Sequence, residues 1–116
     1  MIDFAALWEN RFLAALKALA AHLRRHHIEE WASWFEEDLA DYLAAQEPPR
    51  QITRQQAVVE HVLTAFGGMS TFKQLMLTNA EGQPLAEANE RLQTLAAQLW
   101  ATARSVQGYL VLGNED

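Results

Sequence analysis

The sequence lacks cysteine, an N-terminal basic region and any long apolar run. Without cysteine, neither a disulfide framework nor a thiolate metal site can form. The start, Met-Ile-Asp-Phe, places an acid at position 3, which is unlike a secretory signal peptide. No apolar stretch approaches the roughly 18 residues that a membrane span requires. We therefore expect a cytoplasmic protein that does not act at a membrane.

Sequence signatures of catalysis are also missing. The chain contains no Gly-x-Gly-x-x-Gly, no Walker loop, no Gly-x-Ser-x-Gly and no cysteine nucleophile. Gly67-Gly68 follows a predicted helix and does not join a strand to a helix, so it lacks the architecture that cradles phosphate. We predict a protein that is not an enzyme and that needs no cofactor.

Two histidines have a spacing that can bind zinc. His22 and His26 are four residues apart on a predicted helix, so their rings can share one face. A zinc site would need a third ligand, such as His27, Glu30 or His61. Because no catalytic glutamate accompanies the pair, we interpret it as surface histidines at a helix end and predict no metal.

Apolar residues supply half of the 116-residue chain, enough for the core of a single domain over 1–116. They recur at steps of three and four in four stretches, which predicts four amphipathic helices. Asp3 is predicted as the N-cap of the first helix, and the second helix is predicted from about Ile28 to Gln46. The third helix begins at a capping box, Thr53-x-x-Gln56, and stops at Gly67-Gly68. The fourth helix is predicted from Pro84 to Gly108.

These helices and their short links predict an all-α fold, a small antiparallel bundle of about four helices with an irregular segment near 67–83. The first helix boundary is not fixed, because no glycine or proline interrupts Arg24–Glu30. Trp8, Trp31 and Trp100 lie on the apolar stripes and are predicted core residues. The apolar tail at 109–112 either covers the core or forms an exposed docking strip.

Negative charge is concentrated in one segment. The net charge is −6, and the stretch from Ile28 to Pro48 carries seven acids and no lysine or arginine, so the rest of the chain sums to +1. Glu30, Glu37 and Asp41 fall on a narrow arc opposite the apolar stripe of helix 2, which indicates a solvated face and not a catalytic carboxylate pair. A local acidic face favours a basic partner and argues against binding to nucleic acid or anionic lipid.

Trp34 stands about 120° from the centre of the same apolar stripe. Its nearest helical neighbours are acidic, so a large aromatic side chain is predicted at the edge of the acidic face, where tryptophan often anchors a partner. The alternative is that Trp34 packs under helix 1, helix 4 or the tail. The predicted partner-binding residues are Glu30, Trp34, Glu37, Asp38 and Asp41.

Three motifs give the chain a resemblance to a family of small uncharacterised bacterial all-helical proteins. They are Glu30-Trp31-Ala-Ser-Trp34-Phe35, then Val59-Glu60-His61 leading into Ala65-Phe66-Gly67-Gly68-Met69-Ser70-Thr-Phe72, then Glu87-Ala88-Asn89-Glu90-Arg91-Leu92. After the methionine the family usually has Gly-Ser-Phe-Asn-Asp-Leu, whereas this chain has Ser70-Thr-Phe-Lys73-Gln74-Leu75 and lacks the acid. The family is similar in type to the immunity proteins that accompany bacterial toxins.

We hypothesise a non-enzymatic inhibitor, an immunity or antitoxin-type protein that neutralises a cognate toxin through its acidic helical face. The expected partner is a basic toxin domain, because charge complementarity speeds association. The first alternative is a self-associating structural or adaptor module, such as a homodimer. The second is a metal- or small-ligand-binding domain that uses the His22/His26 pair or the Gly67–Leu77 loop.

Overall fold

Four α-helices dominate the computed structural model, which describes residues 3–68 and 71–113 of the chain. They are α1 (Phe4–Arg25), α2 (Glu29–Gln46), α3 (Ile52–Thr64) and α4 (Ala86–Gly113), with a 3₁₀ helix at Phe72–Gln74. Within the described ranges there is no β-strand, although Thr78 and Pro84 form a single bridge. The prediction of an all-α bundle of about four helices is confirmed.

Each α-helix packs against two others and shares with them one apolar core. α1 and α3 both contact α2 and α4. The helices α2 and α3 run antiparallel, since Asp38 and Asp41 of α2 meet His61 and Arg54 of α3 in reverse order. The largest fully buried apolar side chains are Phe12, Leu16, Leu19, Leu23, Phe35, Tyr42, Val59, Val62, Leu77 and Leu99.

The end of α1 explains why its boundary could not be located in the sequence. His27 takes a left-handed conformation with φ of 62°, a position where glycine is usual. Its N–H donates to the Arg24 carbonyl at 3.1 Å, and the N–H of Ile28 donates to the Leu23 carbonyl at 2.9 Å. This pair of hydrogen bonds is a Schellman motif, formed here without glycine.

The predicted irregular segment is held in place by Asn89. Its side-chain oxygen accepts from the Leu77 N–H at 2.7 Å, and its amide group donates to the Leu77 carbonyl at 2.9 Å. Leu77 is thereby fixed with its side chain buried in the core. Met69 and Ser70, which belong to the Phe-Gly-Gly-Met motif, lie outside the described residues.

A buried polar network crosses the bundle around Glu9. The Glu9 carboxylate accepts hydrogen bonds from Tyr42 at 2.6 Å, Arg50 at 2.7 Å and Gln55 at 3.3 Å. Burial raises the pKa of the Tyr42 hydroxyl, and its hydrogen bond to Glu9 raises it further. The hydroxyl therefore stays protonated and donates to Glu9, which links α1 to α2.

Some predicted boundaries are wrong by a few residues. α3 begins at Ile52 after Gln51, which makes no side-chain cap, so Thr53 lies inside the helix and the capping box does not form. α4 begins at Ala86, two residues after Pro84, and continues through Gly108 to Gly113. A Cβ atom at Gly108 would meet nothing within 4 Å, so no packing constraint stops the helix there.

The tail and one tryptophan also differ from expectation. The prediction that Trp100 is a core residue is wrong, because it is 48% exposed. The apolar tail is the last part of α4, in which Leu110 is buried while Val111 and Leu112 are exposed. Across the described part of the chain, we find no helix whose length and apolarity would suit a bilayer span.

Candidate functional site

The outer face of α2 carries five exposed carboxylates within an arc of about 140°. The helix is covered by α1 on one side and by α3 on the other, which leaves this arc facing outward. We call it the acidic face, and its exposed acids are Glu29, Glu30, Glu36, Glu37 and Asp41.

Nearby cations neutralise the two edges of the acidic face unequally. Arg24 of α1 donates to both Glu29 and Glu36, which compensates the edge near α1. Arg54 of α3 approaches Asp41 at 3.7 Å, a long and exposed contact of little energetic weight. Among the described residues, Glu30 and Glu37 have no ion-pair partner. The negative potential is therefore least compensated around Glu30, Glu37 and Asp41.

Asp38 differs from the other four predicted partner-binding residues. Its side chain is buried between α2 and α3, with 4% of the residue exposed, so it is not part of the acidic face. Oδ1 lies 2.7 Å from Nδ1 of His61, and Oδ2 has no hydrogen-bond partner within the described ranges. Burial raises the pKa of Asp38 to about 6, although the hydrogen bond and the charge of His61 act to lower it.

Trp34 is half-buried at the border between the acidic face and α3. One side of its indole stacks on the ring of His61, with centroids 4.1 Å apart and planes 29° apart. The indole also meets Trp31 and Phe35 edge to face, at 5.2 and 5.1 Å. Trp34 thus packs, but on α3 and its own helix, while part of it remains accessible beside the carboxylates.

The sequence did not predict that His61 belongs to this site. It suggested His61 as a third metal ligand and as part of a family motif, but gave no sign that His61 contacts Trp34. Periodicity places His61 on the polar side of α3, and nothing in the sequence states which helix faces that side. Its side chain is 51% exposed although its Nδ1 contacts a buried carboxylate.

His22 and His26, whose spacing can bind zinc, lie at the end of α1. The His22 and His26 rings lie edge to face at 4.8 Å, and Nε2 of His22 lies 2.9 Å from the Ala88 carbonyl, to which it can only donate. Burial lowers the pKa of His26, and the positive groups around it lower it further. Among residues 3–68 and 71–113, no group of three metal-ligating side chains is close enough to hold an ion.

The loop suggested for a small ligand borders a pocket of about 240 Å³ next to α4. Phe66, Phe72 and Leu92 line it with other mostly apolar groups. Its one half-buried amide, Asn89, is already bound to the Leu77 backbone. The other polar groups of its lining, Lys73 and Gln93, are exposed.

One family model matches the chain, described as a domain of unknown function (DUF6966) and covering residues 24–86. Comparisons with curated proteins and with solved structures give no match. The matched segment runs from Arg24 at the end of α1 through α2 and α3 to the start of α4, so it includes the acidic face, Trp34 and His61. Because the match covers more than half of the sequence, the chain belongs to the DUF6966 family.

Proposed function

We propose that the protein is a non-enzymatic inhibitor of the immunity or antitoxin type, which binds a basic toxin domain through the acidic face of α2. The observation that carries this proposal is the uncompensated charge of Glu30 and Glu37 beside Asp41. A convex helical face with one sign of charge fits a cleft of opposite charge. Such a match speeds association and fixes the orientation of the partner.

Trp34 adds an anchor to this electrostatic match. Tryptophan is enriched among the residues that dominate binding energy. Its contact with His61 holds the indole in one orientation before binding, so less conformational entropy is lost when the partner binds. A partner that covers the acidic face would also cover the accessible edge of Trp34.

The experiment that tests the proposal is affinity capture from the native host, eluted in salt steps and read by mass spectrometry. The unaltered chain is compared with a triple variant, E30K/E37K/D41K. The matched control is E81K/E87K/E90K, which makes the same change in net charge at exposed positions away from the acidic face. We expect a stoichiometric basic partner with the unaltered chain and the control, and its loss with E30K/E37K/D41K.

If E30K/E37K/D41K captured the same partner at the same salt concentration, the acidic face would not be the binding surface. The circular dichroism of the two triple variants should match, because all substituted side chains are exposed and each variant replaces one first-turn acid, Glu30 of α2 or Glu87 of α4.

Self-association through α4 is a second candidate, which one observation favours. Trp100 and Val111 are 48% and 46% exposed, and their spacing of eleven residues places them about 20° apart on one side of the helix. Light scattering would give a dimer mass that W100A reduces to that of a monomer. A monomer at all concentrations would exclude this function.

A further inference from the structure

His61 is held against α2 by two different contacts. Its Nδ1 lies 2.7 Å from Oδ1 of Asp38, and one face of its ring stacks on Trp34. The Asp38 side chain is 5% exposed, whereas that of His61 is 51% exposed. The ring is thus fixed from the inside while its other edge remains at the surface.

This arrangement selects one tautomer of the imidazole. An ionised carboxylate can only accept, so Asp38 requires the proton of His61 to be on Nδ1. The neutral ring then carries its lone pair on Nε2. Within the described residues, Nε2 makes no hydrogen bond to the protein. His61 therefore presents a hydrogen-bond acceptor to solvent in a defined direction.

The charged groups around His61 determine which donor would suit this acceptor. From α2, Glu37 and Asp41 lie close enough to Asp38 to influence it electrostatically, and from α3 Arg54 contacts Asp41. The charged groups around Asp38, which holds the ring, are therefore mainly negative, and this favours a cationic donor. Arginine is the better match than lysine, because its planar guanidinium can donate to several acceptors at once and can stack on an aromatic ring.

We propose that His61 contacts the partner directly, accepting a hydrogen bond at Nε2 from an arginine side chain whose charge pairs with Glu37 and Asp41. Asp38 is a positioning residue, which acts by holding His61 in the Nδ1–H tautomer. This inference rests on the proposed function, because it names the chemistry that the acidic face would recognise.

The proposal is tested on the full chain with two probes, a hexa-arginine peptide and a hexa-lysine peptide, at low ionic strength and about pH 8. H61F keeps an aromatic ring for Trp34 to stack on but removes the acceptor. H61Q restores an acceptor near the position of Nε2. E37K/D41K removes the charges and leaves His61 in place.

We expect H61F to bind hexa-arginine about tenfold more weakly than the unaltered chain, the loss that a charged hydrogen bond implies. Its affinity for hexa-lysine should change much less, and H61Q should recover part of the arginine preference. In the free protein, long-range ¹⁵N–¹H correlation should show Nε2 of His61 without a proton, and D38N should mix the two tautomers.

The outcomes separate this inference from the function on which it rests. If H61F bound hexa-arginine as well as the unaltered chain while E37K/D41K did not, the role of His61 would be overturned and the acidic face would stand. A protonated Nε2 in the free protein would overturn the inference in the same way. If the unaltered chain bound neither peptide, both the inference and the acidic-face mechanism would fail.

Discussion

Asp38 gives the sharpest test of the structure, because its buried carboxylate makes stability depend on pH. Burial raises the pKa of Asp38 to about 6, from the 3.8 of an unperturbed carboxyl group. A raised carboxyl pKa means that the folded state holds this proton more tightly than the unfolded state. Ionisation of Asp38 therefore destabilises the fold above pH 6, and this cost disappears below about pH 4.

The magnitude follows from the shift itself. Each pKa unit corresponds to about 1.4 kcal/mol, so a shift of roughly two units makes ionised Asp38 cost on the order of 3 kcal/mol. Asp38→Asn removes this ionisation while retaining a group that can hydrogen-bond to His61. We expect the stability of D38N relative to the unaltered protein to increase by up to about 3 kcal/mol between pH 4 and pH 8.

The assay is urea unfolding followed by circular dichroism at several pH values, with the two proteins measured side by side. Taking their difference removes the contribution of the titrating groups that do not interact with Asp38. Glu81→Gln is the control, because Glu81 is exposed and is not among the charged groups that act on Asp38. A stability difference for D38N that stays constant with pH, or that falls as pH rises, would refute the account of Asp38 as a strained, buried carboxylate.

Three further predictions concern positions that hold the fold. Replacing His27 by glycine should raise the free energy of unfolding by about 1 kcal/mol, because glycine takes a φ of 62° without strain. A thermal melt measures this change, and a lower melting temperature would contradict the prediction. Asn89→Ala should lower the free energy of unfolding by about 2–3 kcal/mol, because it removes both hydrogen bonds to the Leu77 backbone. An unchanged midpoint of urea unfolding would show that these two hydrogen bonds contribute little to stability. Tyr42→Phe should cost about 2 kcal/mol in the same assay, since Glu9 loses a buried donor, and equal stability would argue against that network.

The fold was predictable from the sequence where apolar periodicity was strong. The second helix was expected from about Ile28 to Gln46 and runs from Glu29 to Gln46, because its stripe and the following prolines define both ends. The end of α1 was not predictable, since His27 occupies a left-handed position that glycine usually marks. A cap formed by backbone hydrogen bonds alone leaves no characteristic side chain to find.

The errors at α4 have a different physical cause. Gly108 was expected to end the helix, yet a glycine inside an exposed part of a helix costs only about 1 kcal/mol. Burial of Leu110 two residues later offsets that cost, so the helix continues. Trp100 was assigned to the core because it lies on the predicted apolar stripe, but it is one residue from the buried Leu99, and a step of one residue turns the side chain by about 100° and takes it to the surface.

The candidate site was predictable only as far as it lies on a single helix. Helical geometry correctly grouped Glu30, Glu37 and Asp41, since their relation depends on spacing within α2 alone. Asp38 and Trp34 lie at the edge of the same arc, where the environment depends on which helix packs beside it. That helix is α3, whose His61 is 23 residues from Asp38 in sequence yet stacks on Trp34 and contacts the Asp38 carboxylate. The contrast between an exposed carboxylate and a buried one with a raised pKa is therefore a product of tertiary packing.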